Sequence, residues 1–332
     1  MNKDRMNLIT KPDKSRRRIA AVGMYDGVHL GHRFLLGFLR EEACRRSLQP
    51  VAVTFSRHPL ALVRPLEEPP LLSTLEERVN MLPEAGAEAV ILLSFNSKLR
   101  TLSAREFLKL LHEKFAIDAL VLGFNNRIGH DGPLDMEQYR DIGREVKVEV
   151  VAAPEFRGLG TRVSSSAIRR LLMDGEPGKA AVMLGHNYTL RGRVVDGNHL
   201  GRTLGFATAN IVPAEPKSLI PRTGAYAAWV TTPDGERRPA MVNIGYRPTV
   251  THHSEEHEYG SDYSRQAERP GIEAHIFDFC GYIYDEEITV EFVSYMRPEQ
   301  RFATTDKLKA RLTDDAAAAR RILNERSKSN GQ

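Results

Sequence analysis

The chain has 332 residues, enough for two domains that each bury a core of their own. Its 41% hydrophobic and 27% charged residues are ordinary for a soluble protein, which excludes a membrane-embedded chain. A net charge of +4 favours nucleic acid no more than small anionic ligands, and two distant cysteines, Cys44 and Cys280, exclude a cysteine metal site and predict free thiols in a reducing compartment.

Met1 to Arg18 is rich in Lys and Arg with no apolar segment behind it. It reads as neither a signal peptide nor a membrane span, and is expected to be a mostly disordered lead-in. Ile19-Ala20-Ala21-Val22 reads as a buried strand, and Arg33 to Leu39 has helical spacing. Between them stands Gly23-Met24-Tyr25-Asp26-Gly27-Val28-His29-Leu30-Gly31-His32, on a strand-to-helix turn. Unpaired backbone N–H groups at such a turn favour phosphate. His29 and His32 are three apart and point the same way on a first helical turn, while Gly31 lets a nucleotide approach the backbone. Two surface histidines on a plain turn are the alternative; the glycines and Asp26 favour nucleotidyl transfer.

Val51 to Phe55 is the next strand, ending at Ser56-Arg57-His58-Pro59. A helix over Leu71 to Leu82 is predicted, capped by Ser73 or Thr74 with Glu76 and Glu77 in its first turn. Val90 to Leu93 is a strand, and Ser103-Ala104-Arg105-Glu106 opens a helix in capping-box form. Ala119 to Gly123 is a strand that breaks into the polar loop Phe124 to Gly132, a candidate ligand loop, and Val148 to Val151 is a fifth strand. This alternation predicts an α/β domain with a parallel, Rossmann-like sheet. Ser164-Ser165-Ser166 before an apolar helix are caps on the plain reading; with Arg169 they also form an anion cradle. That helix is expected to continue past Gly175 to Leu184.

Beyond Gly185-His186-Asn187 the rhythm changes to short strands: Tyr188 to Val195, Tyr226 to Thr231, Ala240 to Ile244, Ala274 to Asp278 and Ile288 to Val293. They predict an antiparallel barrel, followed by a helix near Thr304 to Leu323. Gly197, Gly201, Arg202 and Gly205 crowd before Thr208 and Asn210, which reads as a glycine loop over ATP phosphates with two oxygen ligands for Mg²⁺; hairpin turns are the alternative, with weight at Gly197. The Walker pattern is absent. Thr251 to Gly271 holds His252, His253, Glu255, Glu256, His257 and Glu258, and reads as a charged loop rather than a metal site.

These motifs resemble those of the bacterial bifunctional riboflavin kinase/FMN adenylyltransferases. The Gly23 to His32 segment resembles G-x-F-D-G-V-H-x-G-H with Tyr25 in place of Phe; Ser164 to Arg169 resembles I-S-S-T-x-I-R; and no K-M-S-K-S of the class I aminoacyl-tRNA synthetases occurs. Gly201 to Asn210 resembles G-R-x-L-G-F-P-T-A-N with Ala207 for proline, Asn243 to Thr249 matches N-I-G-x-R-P-T, and Glu273 aligns with the glutamate of V-E-x-H-I-x-D-F. Other departures are Arg57 for proline, Asn125 for an acidic residue and Ile128 for an aromatic.

The resemblance implies an adenylyltransferase domain over 16–185 and a riboflavin kinase domain over 186–330. Riboflavin and ATP would give FMN, and FMN and ATP would give FAD. In the first domain it implies His29, His32 and Arg169 as catalytic, Gly23, Asp26, Gly31, Ser164, Ser165 and Ser166 at ATP, and His58, Asn125 and Arg127 at flavin. In the second it implies Glu273 as the base, the glycine loop at ATP, Thr208 and Asn210 at Mg²⁺, and Arg297 at flavin; the plain reading of Asn243 is a strand ending in a turn, and of Arg297 a surface salt bridge. A cytoplasmic monomer or weak homo-oligomer is expected, with no membrane or nucleic-acid partner. A chain keeping one activity, or a flavin sensor without turnover, is the competing reading.

Overall fold

Strands that are apolar on consecutive residues require a sheet covered on both faces. The computed structural model contains one; it describes residues 7–123, 126–132, 134–197, 204–246 and 269–329. The chain divides into two compact units, Met1–Ser165 and Ser166–Gln332.

The first unit holds β1 (Asn7–Ile9), β2 (Arg18–Val22), α1 (Leu30–Arg46), β3 (Gln49–Phe55), α2 (Leu60–Val63), α3 (Leu75–Ala85), β4 (Ala89–Leu93), α4 (Ser97–Arg100), α5 (Ala104–Phe115), β5 (Ile117–Leu122), α6 (Met136–Glu145) and β6 (Glu149–Ala152). Its sheet is parallel throughout, in the order β1-β4-β3-β2-β5-β6. Strand residues alternate between faces. Ala20, Val22, Val51 and Val53 enter one core, whereas Ile19, Ala21, Ala52 and Val90 enter the other. The sheet grows from β2 toward β3 on one side and β5 on the other. The C-terminal ends of β2 and β5 therefore flank the crevice where such sheets receive ligands.

Three local expectations are corrected. The N-terminal lead-in is ordered over its described part: β1 pairs with β4, and the fully buried Arg18 donates to Asp13 O and Phe115 O. Two apolar residues, Leu8 and Ile9, are too short a run to show a period, and the strand exists by pairing with the sheet edge. The helix expected from Leu71 begins at Leu75, because the Leu72 and Ser73 N–H groups donate to the Asp26 carboxylate; Thr74 then caps it in a capping box with Glu77. The helix expected to run to Leu184 is two helices, α7 (Ser165–Met173) and α8 (Pro177–Leu184), separated at Gly175, whose φ is +78°, with Pro177 opening the second.

The second unit is a closed antiparallel barrel of β7 (Tyr188–Val195), β8 (Ala209–Pro213), β9 (Gly224–Thr231), β10 (Arg237–Gly245), β11 (Gly271–Ile276) and β12 (Glu287–Arg297), in the order β10-β11-β8-β7-β12-β9. The unexpected strand is β8, hidden in sequence behind a glycine-rich lead. The terminal helix α9 (Thr305–Ser329) packs Ala319 and Leu323 against Met241, Phe277 and Val293. Among the described residues no helix is long and apolar enough to cross a membrane.

Candidate active sites

At the end of β2 the backbone bends through two left-handed non-glycine residues, Tyr25 (φ +51°) and Val28 (φ +37°). Each costs about 1–3 kcal/mol and persists where surrounding contacts enforce it. Here the enforcing group is Asp26. Its buried carboxylate accepts the N–H groups of Leu72 and Ser73 and the Ser73 hydroxyl, while the Gly27 N–H donates to Ser73 Oγ. Asp26, expected at ATP, thus fastens the loop before α3 beneath the motif. The Ser165 hydroxyl donates to Asp26 O at 3.1 Å.

The bend delivers His29 to the N-cap of α1, where Nδ1 accepts the His32 N–H at 3.3 Å. A neutral ring that accepts at Nδ1 carries its proton on Nε2, so Nε2–H remains a donor. The two imidazoles stack with centroids 3.6 Å apart. A Cβ at Gly31 would come within 3.2 Å of His29 Cε1, so this glycine admits the stacked ring as well as leaving the helix start bare. Burial, then the charges of His29 and Arg78, hold the His32 pKa well below the usual histidine value. Arg78, missed in the sequence, is a buried cation on α3 whose Nη2 donates to Phe55 O at 2.9 Å. Its Nε, His32 Nδ1 and Tyr25 Oη are buried without a hydrogen bond among the described residues.

A pocket of about 350 Å³ opens between the ends of β2, β3 and β5, lined by Gly23, Met24, Phe55, Asn126, Arg127 and Ile128 among others. The Asn126 amide donates to Val22 O and ties the ligand loop to the motif strand. Ile128 is a buried apolar wall held by Tyr139 through both its N–H and its C=O. His58 is half-buried, its Nδ1 accepting the Leu60 N–H, and it is not among the residues that line this pocket. Asn125 lies outside the described residues. Ser164 precedes α7, Ser166 on it is exposed, and Arg169 is buried within the second unit.

The barrel site is set by register. Asn210 on β8 pairs with Glu273 on β11, Glu273 with Asn243 on β10, Asn243 with Ala225 on β9, and Ala225 with Arg297 on β12. Directly opposed residues share a face. All five line one pocket of about 410 Å³, together with Thr208 and His275. The Glu273 carboxylate makes no ion pair or hydrogen bond among the described residues. Thr208 and Asn210, two apart in an extended segment, present a hydroxyl and an amide oxygen to the same pocket. A Cβ at Gly197 would lie 2.0 Å from Asn210 Nδ2, so only glycine lets the β7 end cover that amide. Gly205 is exposed with φ +87°, whereas Gly201 and Arg202 lie outside the described residues.

Arg297 is not the surface pair its sequence allowed. It is buried; Nε and Nη2 grip Asp315 of α9, with Nη2 to Oδ2 at 2.6 Å, and Nη1 donates to Pro298 O. No local signal marks Asp315, which reaches the site from a separate helix. His275 Nδ1 donates to Ala207 O at 2.7 Å and pins the backbone that a proline would otherwise stiffen; its position two after Glu273 was the available signal. Asn243 was legible as a polar residue amid the apolar Met241, Val242 and Ile244. The histidines and glutamates of residues 251–268 lie outside the described residues, so the loop reading there is left as an expectation.

A parallel sheet with an H-x-G-H turn at its ligand crevice, and a barrel with a carboxylate beside hydroxyl and amide oxygens, define a two-part transferase acting with nucleotides. The comparisons narrow this. The FAD synthetase family model matches residues 11–167 and the riboflavin kinase model residues 184–323. The bifunctional riboflavin kinase/FMN adenylyltransferase of Escherichia coli K12 is 34% identical over 92% of both chains, and that of Bacillus subtilis 168 is 30% identical over 94% of both. A crystal structure from Streptococcus pneumoniae, described as a macrolide-efflux protein, is 27% identical with a TM-score of 0.79 over 94% of this chain and 98% of that one. The chain belongs to the bifunctional riboflavin kinase/FMN adenylyltransferase family.

Proposed function

We propose that the family's two reactions run at the two sites described, riboflavin phosphorylation on the barrel and FMN adenylylation on the parallel sheet, within domains spanning 16–185 and 186–330. The observation that carries this is the register that sets Glu273, without an ion pair or hydrogen bond among the described residues, beside Asn210 in one pocket of the barrel.

In the barrel, riboflavin's primary alcohol attacks the γ-phosphorus of ATP. That alcohol is not ionised at neutral pH, so a carboxylate within hydrogen-bond reach accepts its proton as the new P–O bond forms and ADP leaves. Glu273, which makes no ion pair or hydrogen bond among the described residues, takes this role. Thr208 and Asn210 would hold Mg²⁺ through oxygen ligands, and the ion when bound would supply charge neutralisation at the phosphates. Gly197, Gly201, Arg202 and Gly205 cover the nucleotide, and Arg297 closes the flavin end of the cleft through its hold on α9.

On the sheet the nucleophile is the FMN phosphate, already largely ionised at pH 7 with a second pKa of about 6. It attacks the α-phosphorus of the second ATP and pyrophosphate leaves, so positioning and charge stabilisation replace a base. His29 donates from Nε2, and His32, held neutral by burial, stacks on it without adding a buried charge. Gly23 and Gly31 with Ser164 and Ser165 serve the nucleotide, and His58, Asn125 and Arg127 the flavin. The cytoplasm and a monomeric or weakly associating chain complete this reading.

The test is a pair of variants given riboflavin, ATP and Mg²⁺, with flavins separated by chromatography. Glu273→Gln is expected to abolish FMN formation yet still convert supplied FMN to FAD. His29→Ala is expected to accumulate FMN without FAD. Loss of both activities from either change would refute separate sites.

A further inference from the structure

The register of the barrel fixes which way the substrate lies. The reacting alcohol must sit over Glu273, and Asn210 and Thr208, the phosphate side of the site, flank Glu273 on one side only. The remainder of the alcohol's chain therefore leaves on the other side. That side is β10, where Asn243 stands directly opposite Glu273. Beyond Asn243 comes Ala225, whose small side chain keeps the cleft open, and then the braced Arg297.

Asn243 is exposed into the pocket, and its amide makes no hydrogen bond among the described residues. A mid-strand asparagine between buried Val242 and Ile244 is a poor strand former, and its exposed amide is accessible to a ligand in the pocket. Neighbouring strands lie about 4.8 Å apart, which is the reach from a terminal hydroxyl to a secondary hydroxyl further along a polyol.

Resting on the riboflavin kinase reading, we infer that Asn243 is a specificity-determining residue whose amide hydrogen-bonds a secondary hydroxyl of the substrate's polyol chain. The amide offers both N–H donors and a carbonyl acceptor, which suits a hydroxyl that does both. Glu273 thus recognises the group that reacts, and Asn243 recognises the chain that carries it. A simple alkyl alcohol on the same ring would reach the base but leave the amide unpaired.

The test compares riboflavin with its 10-(5-hydroxypentyl) analogue, which keeps the ring and the primary alcohol but lacks the secondary hydroxyls, in the full-length wild type and in Asn243→Leu. The wild type is expected to favour riboflavin about tenfold in kcat/KM, the size of a lost neutral hydrogen bond. In the variant riboflavin is expected to fall to the level of the analogue, chiefly through KM, while the analogue is phosphorylated nearly as before. FAD formation from supplied FMN and the thermal midpoint read by Trp229 fluorescence report folding. Equal losses for both flavins in a folded variant, or no loss for either, would overturn the inference. A wild type that phosphorylates neither flavin would instead overturn the kinase reading beneath it.

Discussion

Replacing Asp315 with alanine strands a buried cation. Asp315 is 4% exposed and Arg297 8%, and they share three hydrogen bonds of 2.6 to 3.1 Å. Arg311 also approaches Asp315 at 3.2 Å, but its side chain is 37% exposed and can turn to water. Arg297 cannot, so the expected cost is that of breaking a buried pair from one side, about 3–5 kcal/mol. With a urea slope of about 2 kcal/mol per molar, the midpoint falls by about 2 M. The assay is unambiguous because the chain has one tryptophan, Trp229 on β9, so its fluorescence follows the barrel unit by itself. The double variant Arg297→Met/Asp315→Leu, which removes both charges, is expected within about 1 kcal/mol of the wild type. A midpoint shift below about 0.5 M for Asp315→Ala, the scale of an exposed pair, would refute the claim that this pair holds α9 to the cleft.

Gly197→Ala forces its new methyl against the Asn210 amide, and is expected to raise the KM for Mg²⁺-ATP in FMN formation at least tenfold while FAD formation from FMN is unchanged. Tyr25→Phe removes a buried hydroxyl that has no hydrogen bond among the described residues, and should stabilise the first unit by about 1–2 kcal/mol in urea unfolding followed by far-UV circular dichroism. Acid should act through His32. Its native pKa is depressed by burial, so below about pH 6.5 the unfolded chain binds the proton more readily and stability falls as pH drops. The limiting slope is about 1.4 kcal/mol per pH unit, and His32→Gln should flatten it in unfolding curves collected between pH 5 and 7.5.

Where a motif and a period coincided, the sequence was enough. Ile19 to Val22 and Val51 to Phe55 are short apolar runs with helical spacing between them, and both faces of their sheet are buried. The capping box at Ser103 was legible because its contacts are local, and Thr74 was one of two cap candidates for the helix that follows it. What escaped was set by distant partners. β1 has no signal of its own and exists because β4 offers an edge. The role of Asp26 depends on the backbone of residues 72 and 73, and the role of Arg297 on a carboxylate from another element. Asn243 became meaningful only once strand register set it opposite Glu273.

The lateral row in the barrel has a consequence for refolding. Its polar members come one apiece from β8, β11, β10 and β12, so no contiguous peptide carries the kinase chemistry. The constellation comes into being when the hydrogen-bond ladder joins end to end, and ladders between distant segments form slowly. Phosphotransfer should thus return last after dilution from denaturant, lagging the recovery of helical signal, and catalysis becomes a stopwatch for the cyclisation of the ladder.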